Sequence, residues 1–126
     1  MRLVIEIPGV HTTTPGNSRK AWQVEARKAR QQRLAAFVWT RDALNRLTRA
    51  DRDALLSAPR LKVQLTRIGA RPLDVPNVFG ALKACIDGMA DAIGKNDRDP
   101  WYDWQMPTQE KGETGVRITL TAENSQ

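Results

Sequence analysis

Two acidic turns flank one helical segment and hold the first candidates for chemistry. Asp74 lies between two prolines, and Asp97 and Asp99 follow in a polar turn further along the chain. Carboxylates that gather in space can hold Mg²⁺, which takes few protein oxygens and keeps several waters. Since Cys85 and His11 are the only cysteine and histidine, a metal would be bound through oxygen, which favours magnesium or manganese. Acids in turns are also common solvated residues, and that interpretation stays open.

A lysine inside the helical segment is the candidate partner of these acids. Lys83 falls at the edge of the segment's apolar stripe, where it can lean over a site at the edge of a sheet. There it would stabilise the charge that develops on a phosphate during cleavage. The alternative is a surface lysine without a role. Asp87 is expected to cap or pair within the helix rather than to bind a metal.

A strand and a helix must position these residues. Apolar side chains alternate with polar ones from Leu61 to Ile68, which predicts a half-buried strand. The prolines on either side keep Asp74 extended, and Asn77 is the predicted N-cap of the helix. Gly94 is the predicted end. The predicted apolar face of this helix consists of Val78, Phe79, Leu82, Cys85, Ile86, Met89, Ala90 and Ile93.

This stretch resembles the RusA-like Holliday junction resolvases, which are crossover junction endodeoxyribonucleases of bacteria and of their phages and prophages. The family pattern has one or two arginines, an Asp-x-Asp-Asn turn, a helix with a lysine and an aspartate, and a turn with two acids. Most of the stretch 61–104 takes part in the match. The residues that carry it are Arg67, Arg71, Asp74-Val75-Pro76-Asn77, Lys83, Asp87-Gly88, Ala92-Ile93-Gly94 and Asp97-Arg98-Asp99-Pro100.

The resemblance implies a Mg²⁺-dependent, structure-selective endonuclease that resolves Holliday junctions or related branched DNA in recombination and repair, and that acts as a homodimer. It assigns Asp74, Asp97 and Asp99 to the metal, which could also be Mn²⁺. Catalysis would involve Asp74, Asp99 and Lys83. The residues expected to contact DNA are Asn17, Arg19, Lys20, Arg27, Arg30, Arg67, Arg71 and Asn77.

The chain departs from the family at one metal-ligand position. Where the family has an acid before the asparagine, this chain has Pro76, whose side chain carries no ligand atom. Two alternatives to a nuclease therefore stay open. The first is a branched-DNA-binding module that has lost catalysis. The second is a phage-type accessory protein that binds an acidic protein partner through a basic helix.

The charge of the chain is unevenly distributed. The net charge is +6, but residues 1–60 hold twelve Lys/Arg against five Asp/Glu, while residues 61–126 hold eight against nine. The basic half is a candidate phosphate-binding surface, and the acidic turns lie in the other half. Because no segment has the composition of a signal peptide or a membrane span, a cytoplasmic protein is expected, with no membrane partner.

The basic half begins with a predicted strand from Arg2 to Pro8 and a Pro-Gly-Asn-Ser loop at 15–18. That loop is similar to one that approaches nucleic acid in the resembled family, but it could equally be a connection that caps the next helix. A long helix is predicted over 19–39, with its arginines and lysines on one side. Its basic face is either a DNA surface, where each neutralised phosphate adds salt-dependent affinity, or a solvated surface.

The remaining segments complete the predicted fold. One or two helices are expected over 40–59, with Thr48 as an N-cap. Segments 101–106 and 115–122 are predicted to form a closing antiparallel pair around a polar loop at 107–114. Residues 1–126 are thus expected to form one α/β domain. Its mixed sheet would have about four strands, with a long N-terminal helix and a second helix packed on it.

Overall fold

A computed structural model of the chain describes residues 1–10 and 19–124, apart from the side chains of residues 19–22, 25 and 75–77. The predicted α/β class is confirmed, with five strands and three helices in the described residues. In chain order the elements are β1 (Arg2–Pro8), α1 (Arg19–Arg46), α2 (Arg49–Leu56), β2 (Arg60–Gly69), α3 (Val75–Ile93), β3 (Tyr102–Trp104), β4 (Thr108–Lys111) and β5 (Gly115–Glu123).

The strands form a mixed sheet in the order β1-β5-β2-β3, with β4 also paired to β2. Strand β5 runs antiparallel to both β1 and β2, whereas β3 and β4 run parallel to β2. The predicted antiparallel pair between segments 101–106 and 115–122 is therefore wrong, and the predicted loop contains β4. The reason is that β2, α3 and β3 form a strand–helix–strand crossover, which leaves the two strands parallel and adjacent.

Helix α1 extends well past the predicted end at Trp39, because Ala36, Thr40 and Leu44 recur one turn apart and are all buried. Helix α2 begins as predicted, with the Thr48 hydroxyl oxygen accepting a hydrogen bond of 3.1 Å from the Asp51 backbone N–H. No helix in the described part of the chain is long and apolar enough to cross a lipid bilayer.

Helix α3 begins earlier than predicted. Its N-cap is Asp74 and not Asn77, with Pro76 in the first turn, where a backbone N–H has no helical partner to lose. The backbone of Asp74 is extended, as predicted, with φ −62° and ψ 144°. The C-cap is the predicted Gly94, in the left-handed conformation at φ 89° that glycine adopts without a steric cost.

The core lies between one face of the sheet and the helices. Along α3 the buried stripe centres on Val78, Leu82, Cys85 and Met89. Phe79, predicted to share that stripe, is 45% exposed, because it lies about 100° around the helix from Val78. Burial raises the pKa of the Cys85 thiol to about 12, so this cysteine is a packing residue and not a nucleophile.

Candidate functional site

A lysine with two carboxylates forms the most closely connected charged cluster at the predicted site. The Lys83 Nζ donates to Asp87 Oδ1 at 2.8 Å and to Asp97 Oδ2 at 2.7 Å. Asp87 lies one turn after Lys83 on α3, whereas Asp97 is brought back to it by the turn that follows Gly94. The structure thus joins two predicted site residues, Lys83 and Asp97, and the expectation that Asp87 pairs within the helix is confirmed.

These contacts favour the charged forms of Lys83 and Asp97. The hydrogen bonds that Lys83 donates to Asp87 and Asp97 raise the pKa of Lys83, and the bond that Asp97 accepts from Lys83 lowers the pKa of Asp97. Lys83 and Asp97 are therefore both charged near neutral pH. A phosphate that binds Lys83 would have to compete with two carboxylates already in contact with it.

Asp99 has a structural position in the turn after α3. Its Oδ1 accepts a hydrogen bond of 2.9 Å from the Trp101 backbone N–H, and its own N–H donates to the Asn96 carbonyl. Such side-chain-to-backbone bonds are the usual means by which aspartate stabilises a turn. Asp99 therefore contributes to the shape of the segment that carries Asp97.

Three aromatic residues that follow this turn hold it in place through hydrogen bonds to backbone carbonyls. The indole N–H of Trp101 donates to the Ala58 carbonyl at 2.7 Å, and that of Trp104 donates to the Asp97 carbonyl at 3.1 Å. The Tyr102 hydroxyl donates to the Lys95 carbonyl at 2.9 Å, and burial raises its pKa. Trp101 and Trp104 thus pack and anchor this segment, and their ring N–H groups are used within the protein.

Asp74 lies at the opposite end of α3. It is exposed, and although it is the N-cap residue its side chain makes no capping hydrogen bond. Its carboxylate is therefore not engaged in the usual task of an aspartate at this position. The side chains of Pro76 and Asn77 lie outside the described residues, so the predicted contact from Asn77 to DNA stays a prediction.

The length of α3 separates Asp74 from the cluster around Lys83. At ~1.5 Å of rise per residue, Asp74 lies roughly 20 Å along the helix axis from Asp87, to which Asp97 is connected through Lys83. Two oxygens bound to one Mg²⁺ lie no more than about 4.2 Å apart, since each is about 2.1 Å from the ion. Within one chain this arrangement does not bring Asp74 and Asp97 to a common ion. Among residues 1–10 and 19–124, no group of three His, Cys, Asp or Glu side chains is placed to hold a metal.

A glutamine that the sequence analysis missed holds the segment before Asp74. The Gln109 side chain, on β4, donates to the Leu73 carbonyl at 2.8 Å and accepts from the Leu73 N–H at 2.8 Å. Arg67 donates to the Arg71 carbonyl at 2.8 Å and to Gln109 Oε1 at 3.3 Å. Arg67 thus supports the backbone of the segment that leads to Asp74. The contacts of Arg67 and Arg71 with DNA that the resemblance implies stay predictions.

The basic side of α1 is partly neutralised by α3. Arg33 forms a two-point contact with Asp91, with Nε to Oδ2 at 2.8 Å and Nη2 to Oδ1 at 3.1 Å, and this contact raises the pKa of Arg33. Arg27 and Arg30 are exposed and have no ion pair with a described residue. They are the predicted DNA-contacting residues whose side chains the structure places on the surface of α1. Asn17 lies outside the described residues, and so do the side chains of Arg19 and Lys20.

The residues that sequence reasoning missed contact partners far away in the chain. Gln109 bonds to a backbone 36 positions earlier, and Arg33 bonds to a carboxylate 58 positions later. Neither has a local signal such as a cap or a periodic spacing. Only the Lys83–Asp87 contact, between residues one helical turn apart, could have been found from spacing.

No known protein family matches this chain, and no curated protein matches it at a significant level. The resemblance to the RusA-like resolvases therefore depends on the residues of the stretch 61–104. Family membership and the activity that it implies stay predictions.

Proposed function

We propose that this chain is a RusA-like, structure-selective endonuclease that acts on branched DNA such as the Holliday junction in recombination and repair. The observation that carries the proposal is the position of Asp74. It is an exposed carboxylate without a capping bond, three residues after Arg71, on a segment held by Gln109 and Arg67. It stands where the resembled family has its first acid.

The surface of α1 supports the DNA-binding part of the proposal. The helix carries eight Lys/Arg against two Asp/Glu. Of these, Arg33 is neutralised by Asp91, whereas Arg27 and Arg30 are exposed. Guanidinium groups that are free to contact phosphates release counterions on binding, which gives affinity that falls as salt rises.

Asp74 also fits a magnesium ion of the kind found at phosphates. Mg²⁺ is usually held through one or two carboxylates and substrate phosphates, with waters completing its shell. An exposed, uncapped carboxylate suits that role better than Asp97, which is paired with Lys83. When bound, the ion would supply an activated water and would stabilise the leaving oxygen. Asp74 would hold the ion, and Arg67 and Arg71 would orient the DNA backbone.

A second candidate is binding of branched DNA without cleavage. The observation in its favour is that the acids predicted to share one ion are separated along α3, with Lys83 and Asp97 paired to each other. Pro76, at the position of a family ligand, points the same way. The same experiment distinguishes the two candidates.

The experiment is a titration of a labelled four-way junction with the pure protein, in the presence and absence of Mg²⁺ or Mn²⁺, with binding and nicking measured separately. Metal-dependent nicking is expected, together with affinity that falls steeply with salt. Asp74→Asn should abolish nicking and leave binding unchanged, whereas Asp51→Asn on α2 is the control with the same loss of charge. Binding without nicking would select the second candidate, and absence of binding at low salt would overturn both.

The contribution of α1 is tested in the same assay. Arg27→Gln with Arg30→Gln should weaken binding and reduce the salt dependence, by about 0.9 in the log–log slope for each lost phosphate contact. Arg49→Gln with Arg52→Gln, on α2, removes the same charge elsewhere. Equal losses in both double variants would indicate a general effect of net charge and would argue against an interface on α1.

A further inference from the structure

A short connection carries Asp74 from β2 to α3. Residues 70–74 belong to no helix or strand, and Arg71, Pro72 and Asp74 are exposed. The side chain of Leu73, in contrast, packs against the core. A connection without regular structure needs partners from elsewhere in the chain for its backbone N–H and C=O groups. The residues that supply these partners determine how firmly Asp74 is held.

The Gln109 side chain supplies both partners of Leu73. Its Nε2 donates to the Leu73 carbonyl at 2.8 Å, and its Oε1 accepts from the Leu73 N–H at 2.8 Å. An amide that donates and accepts at one residue imitates the pairing of two strands, so it fixes both the position and the direction of the backbone there. Gln109 lies on β4, opposite Arg67 on β2. The residue directly before Asp74 is thus bonded to the sheet.

The Arg67 guanidinium holds the beginning of the same connection. Its Nη1 donates to the Arg71 carbonyl at 2.8 Å and to Gln109 Oε1 at 3.3 Å. Gly69 leaves room for this arrangement, because a Cβ at that position would lie only 3.1 Å from Nη2 of Arg67. Arg67 is half-buried. Its guanidinium is therefore directed at the backbone of its own chain.

We infer that Arg67 and Gln109 are positioning residues for Asp74, an inference that rests on the proposed nuclease function. Together the two side chains hold the backbone of Arg71 and Leu73, and so set where the Asp74 carboxylate lies when it binds a metal ion. Displacement of a reacting group by about 1 Å can lower a rate by about a hundredfold, so support of this kind affects catalysis strongly. Arg67 orients the DNA only through Arg71 and does not itself contact a phosphate.

Two other roles for Arg67 predict different measurements. A direct phosphate contact, which the resemblance implies, adds junction affinity and about 0.9 to the log–log salt slope. A purely structural role lowers stability and leaves the nicking rate of the folded protein unchanged. A positioning role lowers the nicking rate at saturating protein and leaves the junction affinity unchanged. The comparison of rate with affinity therefore identifies the role.

The test measures binding and single-turnover nicking of a four-way junction, with the full-length protein in excess. Gln109→Met keeps the length of the side chain and removes its hydrogen bonds, and Arg67→Gln removes the guanidinium. Both variants should lower the nicking rate at saturation by about tenfold or more, with junction affinity and salt slope unchanged. A salt slope that falls by about 0.9 in Arg67→Gln, beyond any change in its charge control, would show a phosphate contact and overturn the inference for Arg67.

Two matched controls lie close to these residues in the sheet. Arg60→Gln removes a charge at the other end of β2, and Gln105→Ala removes an amide whose contact of 3.4 Å is long. Neither should change the nicking rate. In Arg67→Gln with Gln109→Met the rate should be no lower than in the slower single variant, because both residues act on one connection. If the two losses multiply, the residues act independently and the inference is overturned.

A second readout does not depend on nicking. Mn²⁺ added without DNA should broaden the amide NMR signals around Asp74, and Gln109→Met should need about tenfold more Mn²⁺ for the same broadening. If the unmodified chain binds Mn²⁺ there but does not nick the junction, the proposed function fails and the change in Mn²⁺ affinity decides the inference. No broadening around Asp74 in the unmodified chain, or equal affinity in both proteins, would overturn it. If Gln109→Met does not fold, Arg67→Gln takes its place in this measurement.

Discussion

The two ends of helix α3 are stabilised in different ways. At the C-terminal end, Asp97 contacts Lys83, Asp99 bonds to the backbone of its own turn, and the indoles of Trp101 and Trp104 donate to carbonyls. At the N-terminal end, the Asp74 carboxylate makes no capping bond, and the neighbouring backbone is held by the side chains of Gln109 and Arg67. The acids that the resemblance assigns to one site therefore have unlike surroundings.

Acids that match the same sequence pattern can differ in how readily their carboxylates bind a ligand. Asp97 and Lys83 neutralise each other, so a ligand that binds one of these residues must displace the other. Asp74 makes no capping bond and has no ion pair with a described side chain. A carboxylate without an internal partner can bind an external cation at a lower cost than one in an ion pair. The difference is why the nuclease proposal depends on Asp74.

The largest expected effect comes from disturbing the packing of α3 against α1, which positions both ends of α3. Gly88, in the middle of α3, faces α1 so closely that an added Cβ would overlap the Arg33 carbonyl oxygen and lie 2.9 Å from Ala36 Cβ. Gly88→Ala should therefore lower the free energy of unfolding by about 3 kcal/mol or more. Urea denaturation measures it.

The matched control is Gly80→Ala on the same helix. An added Cβ at Gly80 meets no atom within 4 Å. Alanine there should raise stability by about 0.5–1 kcal/mol, because it favours the helix over the unfolded chain. If the two substitutions had the same effect, the close approach of α1 and α3 at Gly88 would be refuted.

A smaller effect is expected from loosening only the N-terminal end. Gln109→Ala removes both hydrogen bonds to Leu73 and one acceptor of Arg67, at a cost of about 1 kcal/mol. Amide hydrogen exchange should become faster at Leu73 and stay unchanged in the turn at 95–100. Gln105→Ala is the control, because the Gln105 amide has only a long contact of 3.4 Å to the Asp103 carbonyl. Unchanged exchange at Leu73 would contradict the role given to Gln109.

The smallest effect is expected from the ion pair at the other end. The pKa of Asp97 is lowered in the folded chain, so its contribution to stability is present above the unfolded pKa of about 3.9 and is lost as the pH falls through the lower, folded value. Asp97→Asn should cost less than about 1 kcal/mol at pH 7, since Lys83 is largely exposed. The difference from the unmodified chain should vanish in acid.

A double-mutant cycle assigns that effect to its cause. In a Lys83→Met background, Asp97→Asn should leave the free energy of unfolding nearly unchanged at pH 7, because the partner is already absent. The pKa of Lys83 is raised, so the pair should also lose stability as the pH rises through the folded pKa of the lysine. If Asp97→Asn lowered the free energy of unfolding as much in the Lys83→Met background as in the unmodified chain, the effect would come from another contact.

Local patterns predicted much of the fold. The alternation in β1, β2 and β5, the cap at Thr48 and the end of α3 at Gly94 follow from spacing and from single-residue preferences, and the structure confirms them. The N-cap of α3 was predicted wrongly at Asn77, because Pro76 is also compatible with the first turn of a helix. The end of α1 was placed too early, because the burial of Thr40 and Leu44 is a tertiary fact.

The sequence by itself determined the α/β class, the distribution of charge and the acids, lysine and arginines that make a nuclease the leading hypothesis. Only the tertiary structure decided the pairing of β3 and β4 with β2, the contacts of Arg33 and Gln109, and the contact of Asp97 with Lys83. The physical reason is the separation along the sequence between the residues that interact. Caps, turns and periodicity are set by neighbours in the chain, whereas strand order and ion pairs depend on how distant segments pack around a shared core.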